Sequence, residues 1–245
     1  ITQQVERYRE YCQTFKVPEF DFVNFASLKK TLEMRRSLWD KVDEWQGIQQ
    51  DTMTRDFKVE VQVEELDKTV AVMAKESYSY DKKVGNSITH LLREQTTAFK
   101  RIMPLILDLG NPAITPRHWA QIFDEIGFEG NPRASFCLQD LKNCGVFQPE
   151  HSDFISDVSG TASGERQLTA ALEEIKEGWA QLEFNVLNYR DQRSLFILGG
   201  LDEVFLQLED NMVALQSMLG SRFVMAMREE IETWYKKLSL LSDTI

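Results

Sequence analysis

A chain of 245 residues, 42% hydrophobic and 27% charged, has ordinary globular composition and enough length for a substantial core in one or two domains. Its formal net charge of −11 argues against a nucleic-acid-binding surface, because phosphate contacts need clustered Lys and Arg and no such cluster stands out. The same balance disfavours acidic partners.

Val5, Tyr8, Cys12 and Phe15 step by three and four, which predicts an amphipathic helix ending before Pro18, with a loop over KVPEFD. A second helix is expected from about Asn24 to Gln49, with Phe25, Leu28, Leu32, Trp39, Val42 and Trp45 on its apolar stripe and Gly47 near its end. Val59, Val61 and Val63 alternate as in a strand, whereas the acids beyond them suit a helix N-terminus, so a short extended approach should lead into a helix. That helix buries Leu66, Val70, Met73 and Ser77 and yields near Val84-Gly85-Asn86. Ile88, Leu91, Leu92, Gln95, Phe99 and Ile102 give the next stripe, with Pro104 able to kink the helix before Gly110 stops it.

The stretch LILDLGNPAITPRHW, residues 105–119, has a catalytic and a structural reading. In the first, His118 is an acid or base and Arg117 an anion clamp. In the second, Gly110 ends one helix, Asn111-Pro112 prevents its continuation, and Thr115-Pro116 supplies the N-cap and first residue of another. The local chemistry favours the second: these residues make a corner.

Beyond it, Trp119, Ile122, Phe123 and Ile126 predict a short helix closed by Gly127. GFEGNPRAS reads as a loop, followed by a helix over Leu138 to Asn143 closed by Gly145. From Pro149 to about Leu182 two helices are expected, separated by a flexible joint of small residues near Ser159 to Gly164. Phe184 to Tyr189 and Ser194 to Leu198 are β-prone runs around a polar turn, a hairpin. After Gly199-Gly200, Phe205, Leu208, Met212, Leu215 and Leu219 form one helical stripe. Val224, Met227, Ile231, Trp234, Leu238 and Leu241 form another, on a closing helix expected from about Arg222 to Thr244 and packed on its neighbour. The fold class is therefore all-α: an elongated array of helical bundles with one short β-hairpin at about residues 184–198.

Little chemistry is legible. No Gly-rich phosphate loop or dinucleotide fingerprint occurs, and the residues three before His90, His118 and His151 are Ser87, Thr115 and Gln148, so the Glu-x-x-His pairs of a di-metal bundle are missing. Cys12, Cys137 and Cys144 make neither a disulfide framework nor a zinc spacing, which suits a reducing compartment. Cys144 with His151 and the acidic pair Glu209-Asp210 read as packing and solvated surface rather than catalytic groups. Trp39, Trp45, Trp119, Trp179 and Trp234 are expected on the apolar faces of their helices. No run is long and apolar enough to cross a bilayer, and the opening is a polar amphipathic helix rather than a signal peptide. A first residue other than Met, and a helical pattern still in phase at LSLLSDTI, lead to the expectation of a piece of a longer polypeptide.

PLILDLGNPAITPRHW, GWAQLEFNVLNYRDQRSLFILGGLDEVFLQLEDNMVALQSMLGSRF and REEIETWYKKLSLLSD, in this order and spacing, resemble the linker region of a dynein heavy chain over roughly residues 60 to 245. RRSLWDKVDEW is similar to the segment where the tail enters the linker and leans toward the axonemal branch. The resemblance divides the chain into a tail-to-linker helical segment, 1–60, and the tail-side part of the linker, 61–245. The residues that carry it are Asn111, Pro112, Arg117, His118, Trp119, Trp179, Leu208, Asp210, Leu215, Met218 and Trp234. Two positions depart from it. Gly110 stands where the family carries a longer polar or basic residue, which implies a looser corner, and Cys137 stands where a Thr cap is commoner.

The resemblance implies a lever that carries ATP-driven change in a downstream AAA+ ring to the tail, in a heavy chain that is a microtubule motor ATPase. It implies no catalytic residue, cofactor or metal here; ATP and Mg belong to the downstream AAA+ modules. Partners would be that ring, the tail, and other dynein heavy, intermediate or light chains, with microtubule contact only through the distal stalk and none with nucleic acid or membrane. The place would be the cytoplasmic cytoskeleton, in the axoneme of a cilium or flagellum. The rival reading is a non-motor helical scaffold or adaptor of spectrin-like type, but no repeated three-helix period appears.

Overall fold

The computed structural model describes residues 2–18, 23–190 and 195–245. Among them the elements in chain order are α1 (Thr2–Phe15), α2 (Val23–Thr54), α3 (Val63–Val84), α4 (Ser87–Leu109), α5 (Pro116–Ile126), α6 (Leu138–Asn143), α7 (Pro149–Ala180), β1 (Asn185–Asn188), β2 (Phe196–Gly199), α8 (Asp202–Leu219), a 3-10 turn (Val224–Ala226) and α9 (Arg228–Thr244). The chain forms two compact units, Ile1–Thr54 with Asp67–Arg101, and Arg55–Leu66 with Ile102–Ile245. The all-α class with one hairpin is confirmed. Residues 19–21 of the expected KVPEFD loop, and 191–194 of the hairpin, including Ser194, lie outside the described residues.

In the first unit, Trp45 is fully buried and meets Phe99 edge-on, ring centroids 5.4 Å apart. Two stripes differ from expectation. α2 continues to Thr54, with Gly47 well inside it, and it buries Leu38, Trp45 and Thr52, a line of residues seven apart. Leu28, Leu32 and Trp39 lie on another face and are 67%, 69% and 57% exposed. α4 is turned by one residue from the expected stripe: it buries Thr89, Leu92, Thr96, Phe99 and Met103, while Leu91 and Gln95 face solvent. The two threonines are tolerated there because both are bonded. Thr89 Oγ1 donates to Asp81 Oδ1 at 3.1 Å and Thr96 Oγ1 meets Ser77 Oγ at 2.8 Å. The turn before α4 is fixed by Gly85 at φ 60° and by a reciprocal box, in which Thr89 N–H donates to Asn86 Oδ1 and Asn86 N–H to Thr89 Oγ1. α3 buries Leu66, Val70, Met73 and Ser77, as its pattern predicts.

In the second unit the expected extended approach is a turn. Asp56 bridges Cys137, Phe57 N–H donates to Phe136 O at 3.0 Å, and Val59 is exposed. The expected joint in residues 149–182 is not there: α7 is one helix of 32 residues. Its small residues are buried at Ser159, Ala162 and Gly164, so they mark close approach by other elements rather than a break. Leu172 and Ile175 of α7 join Leu215, Met218, Val224, Ile231 and Leu238 in one core, with Trp179, Met212, Met227 and Trp234 packed around it. The closing helix is shorter than expected. The 3-10 turn Val224–Ala226 precedes α9, which has 17 residues and so spans about 25 Å. β1 and β2 pair antiparallel, Val186 opposite Leu198 and Leu187 opposite Ile197, and all four of these side chains are exposed.

Candidate functional site

The corner between α4 and α5 is tied to α7 by several side-chain hydrogen bonds. α4 ends as Gly110 N–H donates to Ile106 O at 2.9 Å. Gly110 is not a left-handed stop, and the looser corner expected from it is corrected: a Cβ there would stand 2.5 Å from the Val63 side chain. The absence of a side chain permits the close approach.

Asn111 is the next link. Its Oδ1 accepts from Ala113 N–H at 3.0 Å, which shapes the turn into Pro112, and its amide nitrogen reaches Ser159 O (3.1 Å), Ser159 Oγ (2.9 Å) and Ser163 Oγ (2.7 Å) on α7. Two N–H groups thus serve three acceptors, one of them shared.

Thr115 is the N-cap of α5, Pro116 its first residue and His118 its third, and His118 Nδ1 accepts from Thr115 N–H at 3.1 Å. That bond sets the tautomer. A neutral ring that accepts at Nδ1 carries its proton on Nε2, which lies 3.2 Å from Glu165 Oε2 of α7 and 3.1 Å from the Arg117 guanidinium. Arg117 donates to both oxygens of the same carboxylate, at 2.6 Å and 2.5 Å. Arg117 is half exposed while His118 is buried, and burial pushes the His118 pKa below its usual 6.5, with Glu165 opposing the shift and Arg117 adding to it. Both imidazole nitrogens are committed to holding a helix end, so no acid or base is left for a substrate.

Trp119 anchors the corner from below. It packs against Phe136 (centroids 4.8 Å), Phe123 (5.7 Å) and Phe57 (6.3 Å). Lys58 caps this cluster, its ammonium 4.5 Å from the Phe136 centroid and donating to Pro132 O at 2.6 Å and Ala134 O at 3.0 Å. Burial lowers its pKa, with Asp56 opposing. A cleft of about 510 Å³ opens beside it, lined by Lys58, Asn111, Pro112, Pro116, Trp119 and Arg133 among others. Phe57, Lys58 and Phe136 carry no sequence signal that would have singled them out; only the fold gathers them.

The remaining motif residues are dispersed. Pro112 and Asp210 are exposed, Leu208, Leu215 and Met218 are buried on α8, and Trp179 and Trp234 are half-buried around the core of α7, α8 and α9. Trp39 is the one tryptophan that does not pack inward, contrary to expectation. Cys137 does cap α6: Asp140 Oδ2 accepts from its N–H and its thiol, each at 3.0 Å. His151 faces Glu125 at 3.3 Å rather than Cys144. Among the described residues no group of three His, Cys, Asp or Glu side chains could hold a metal ion, and no helix is long and apolar enough to cross a membrane.

Residues 25–245 match the family described as "Dynein heavy chain, N-terminal region 2". The chain belongs to the dynein heavy chains. It is 30% identical over 247 residues to human "Dynein axonemal heavy chain 6", covering all of this chain and 6% of that protein. It is 32% identical over 235 residues to human "Dynein axonemal heavy chain 2", covering 94% of this chain and 5% of that protein. It is also 30% identical over 233 residues to "Dynein-1-beta heavy chain, flagellar inner arm I1 complex" of Chlamydomonas reinhardtii, covering 94% of this chain and 5% of that protein. The chain thus spans about one twentieth of the length of these axonemal and flagellar dyneins. Its helices and hairpin are a module of the dynein linker region.

Proposed function

We propose that this module is the tail-side part of a dynein lever arm, residues 61–245, approached by a tail-to-linker segment, residues 1–60. It carries ATP-driven change in the AAA+ ring of its own heavy chain to the tail, for microtubule-based motility in a cilium or flagellum. Its partners in this reading are that ring, the tail and the other chains of the dynein complex.

The observation that carries the reading is the double tie from the corner to α7, Asn111 to Ser159 and Ser163 and Arg117 with His118 to Glu165. A lever needs elements that do not pivot at their loops. Amide and guanidinium bonds to one continuous helix fix the direction of α5, where a chemical site would leave polar groups free.

The test is Asn111→Ala with Glu165→Gln in the intact heavy chain. Each buried group left without its partner costs about 1–3 kcal/mol. Basal ATP turnover should stay within about twofold, a factor worth well under 1 kcal/mol, while microtubule gliding velocity falls by more than half. Gliding at wild-type velocity, with faster hydrogen exchange in α5 confirming that the tie is broken, would overturn the lever role of this corner.

A further inference from the structure

The cleft of about 510 Å³ beside the corner lies wholly within the second unit, and its lining combines apolar residues with two cations and no acid. Trp119, itself buried, forms part of the floor, and Pro112, Pro116 and Pro132 stand around it, three of the six prolines of the chain. A proline has a fixed φ and no N–H, so these walls are stiff and offer a ligand no backbone donor. The side-chain amide of Asn111 is already committed to Ser159 and Ser163. The charged groups left to bind a ligand are Lys58 and Arg133.

The Lys58 ammonium donates to Pro132 O and Ala134 O and lies 5.6 Å from the Trp119 ring centroid. Two carbonyls leave its charge unneutralised and one of its three N–H groups unused. The nearby Asp56 carboxylate accepts from Ser135 and from the backbone N–H of Lys58, not from the ammonium. Arg133 is exposed, and its side chain has no hydrogen-bond or ion-pair partner among the described residues. Its backbone is fixed, because its N–H donates to Asn131 Oδ1 at 2.9 Å. Two cations without a carboxylate partner, beside an apolar floor in a chain of 28 bases and 39 acids, select a carboxylate joined to an apolar group.

We propose that this cleft receives a segment of the same heavy chain, from outside residues 1–245, in which an Asp or Glu stands next to an apolar side chain. The carboxylate meets Lys58 and Arg133, and the apolar group packs on Trp119 and the prolines around it. The same polypeptide is the source because residues 1–245 span about one twentieth of the length of the axonemal relatives. The rest is tethered to the cleft, at an effective concentration that turns a weak contact into an occupied one. The proposal rests on family membership and not on the lever reading, whose test is gliding velocity.

Carbodiimide coupling of the intact heavy chain, read by mass spectrometry of the digest, is the test. The reagent activates a carboxylate, a neighbouring amine displaces the urea, and an amide forms with no spacer, so only groups already in contact are joined. Lys58 should couple to an Asp or Glu of the heavy chain outside residues 1–245. Arg133→Glu should lower that yield by about fivefold or more, because a like charge now faces the incoming carboxylate. Arg133→Lys should keep the Lys58 product and add a second, from position 133 to the same stretch. Absence of any Lys58 product, products confined to acids within residues 1–245 or to a different polypeptide, or a yield unchanged by Arg133→Glu would each overturn the proposal.

Discussion

The side-chain amide of Asn111 donates to Ser163 Oγ at 2.7 Å, and also reaches Ser159 one helical turn earlier, so a single loop residue is held at two levels of α7. Glu165, two residues beyond Ser163, holds Arg117 and His118. Gly164, between them, sits against the ring of Phe223. The stretch that looks like a hinge in sequence therefore takes contacts on more than one side, at Ser159, Ser163 and Gly164, while Gly160 faces open space.

A pair of glycines separates these two views. Gly164→Ala places a Cβ 2.3 Å from the Phe223 ring and should destabilise the chain by about 1–3 kcal/mol, the usual cost of overpacking. Gly160→Ala, with nothing within 4 Å, should stabilise it by up to about 1 kcal/mol, since Ala is the better helix former. Urea denaturation of both variants decides. Equal effects would mean that the segment is a joint after all.

His118 makes stability depend on pH in a fixed direction. Its pKa is lowered in the folded chain, so the unfolded state binds more protons once pH falls below about 6.5, and stability must drop there. Above that pH the neutral ring caps α5 in full. His118→Gln should flatten this part of the profile with only a modest loss at pH 7.5, because Gln at the same helix position can also reach back to the Thr115 N–H. Denaturation midpoints measured across pH 5 to 8 for both chains check it, and an unchanged slope in the variant would assign the pH dependence to another group.

Two tryptophans should part company on truncation. Trp119→Ala empties the centre of the aromatic cluster around Phe57, Phe123 and Phe136 and should cost about 3–5 kcal/mol. Trp39→Ala removes a side chain that is 57% exposed and should change stability by less than about 0.5 kcal/mol. Thermal melts that rank them the other way would contradict the placement of both helices.

Much of the helical content was legible because it is local. Thr115-Pro116 before an apolar stripe, Gly127 at φ 67° after it, and the paired β-prone runs around residue 190 each act within a few residues, and each element forms where its signals stand. The same locality explains the stripe of α3, which has one apolar face and hence one way to be buried. Family membership, too, came from ordered blocks of residues rather than from any fold.

What the sequence could not decide were choices between two acceptable local answers. α2 has two apolar lines, and which one is covered depends on the elements that reach it, so Trp45 is buried while Trp39 is not. α4 prefers Thr89 and Thr96 to Leu91 inside because Asp81 and Ser77, on another helix, satisfy their hydroxyls. The run Ser159 to Gly164 is permitted as a break by its composition, yet it is helix because Asn111 and Phe223, 48 and 59 residues from their partners Ser159 and Gly164, fill the space beside it. Amphipathic spacing and caps are written along the chain; the partner that makes one face worth burying, or a small residue necessary, is supplied only when distant segments meet.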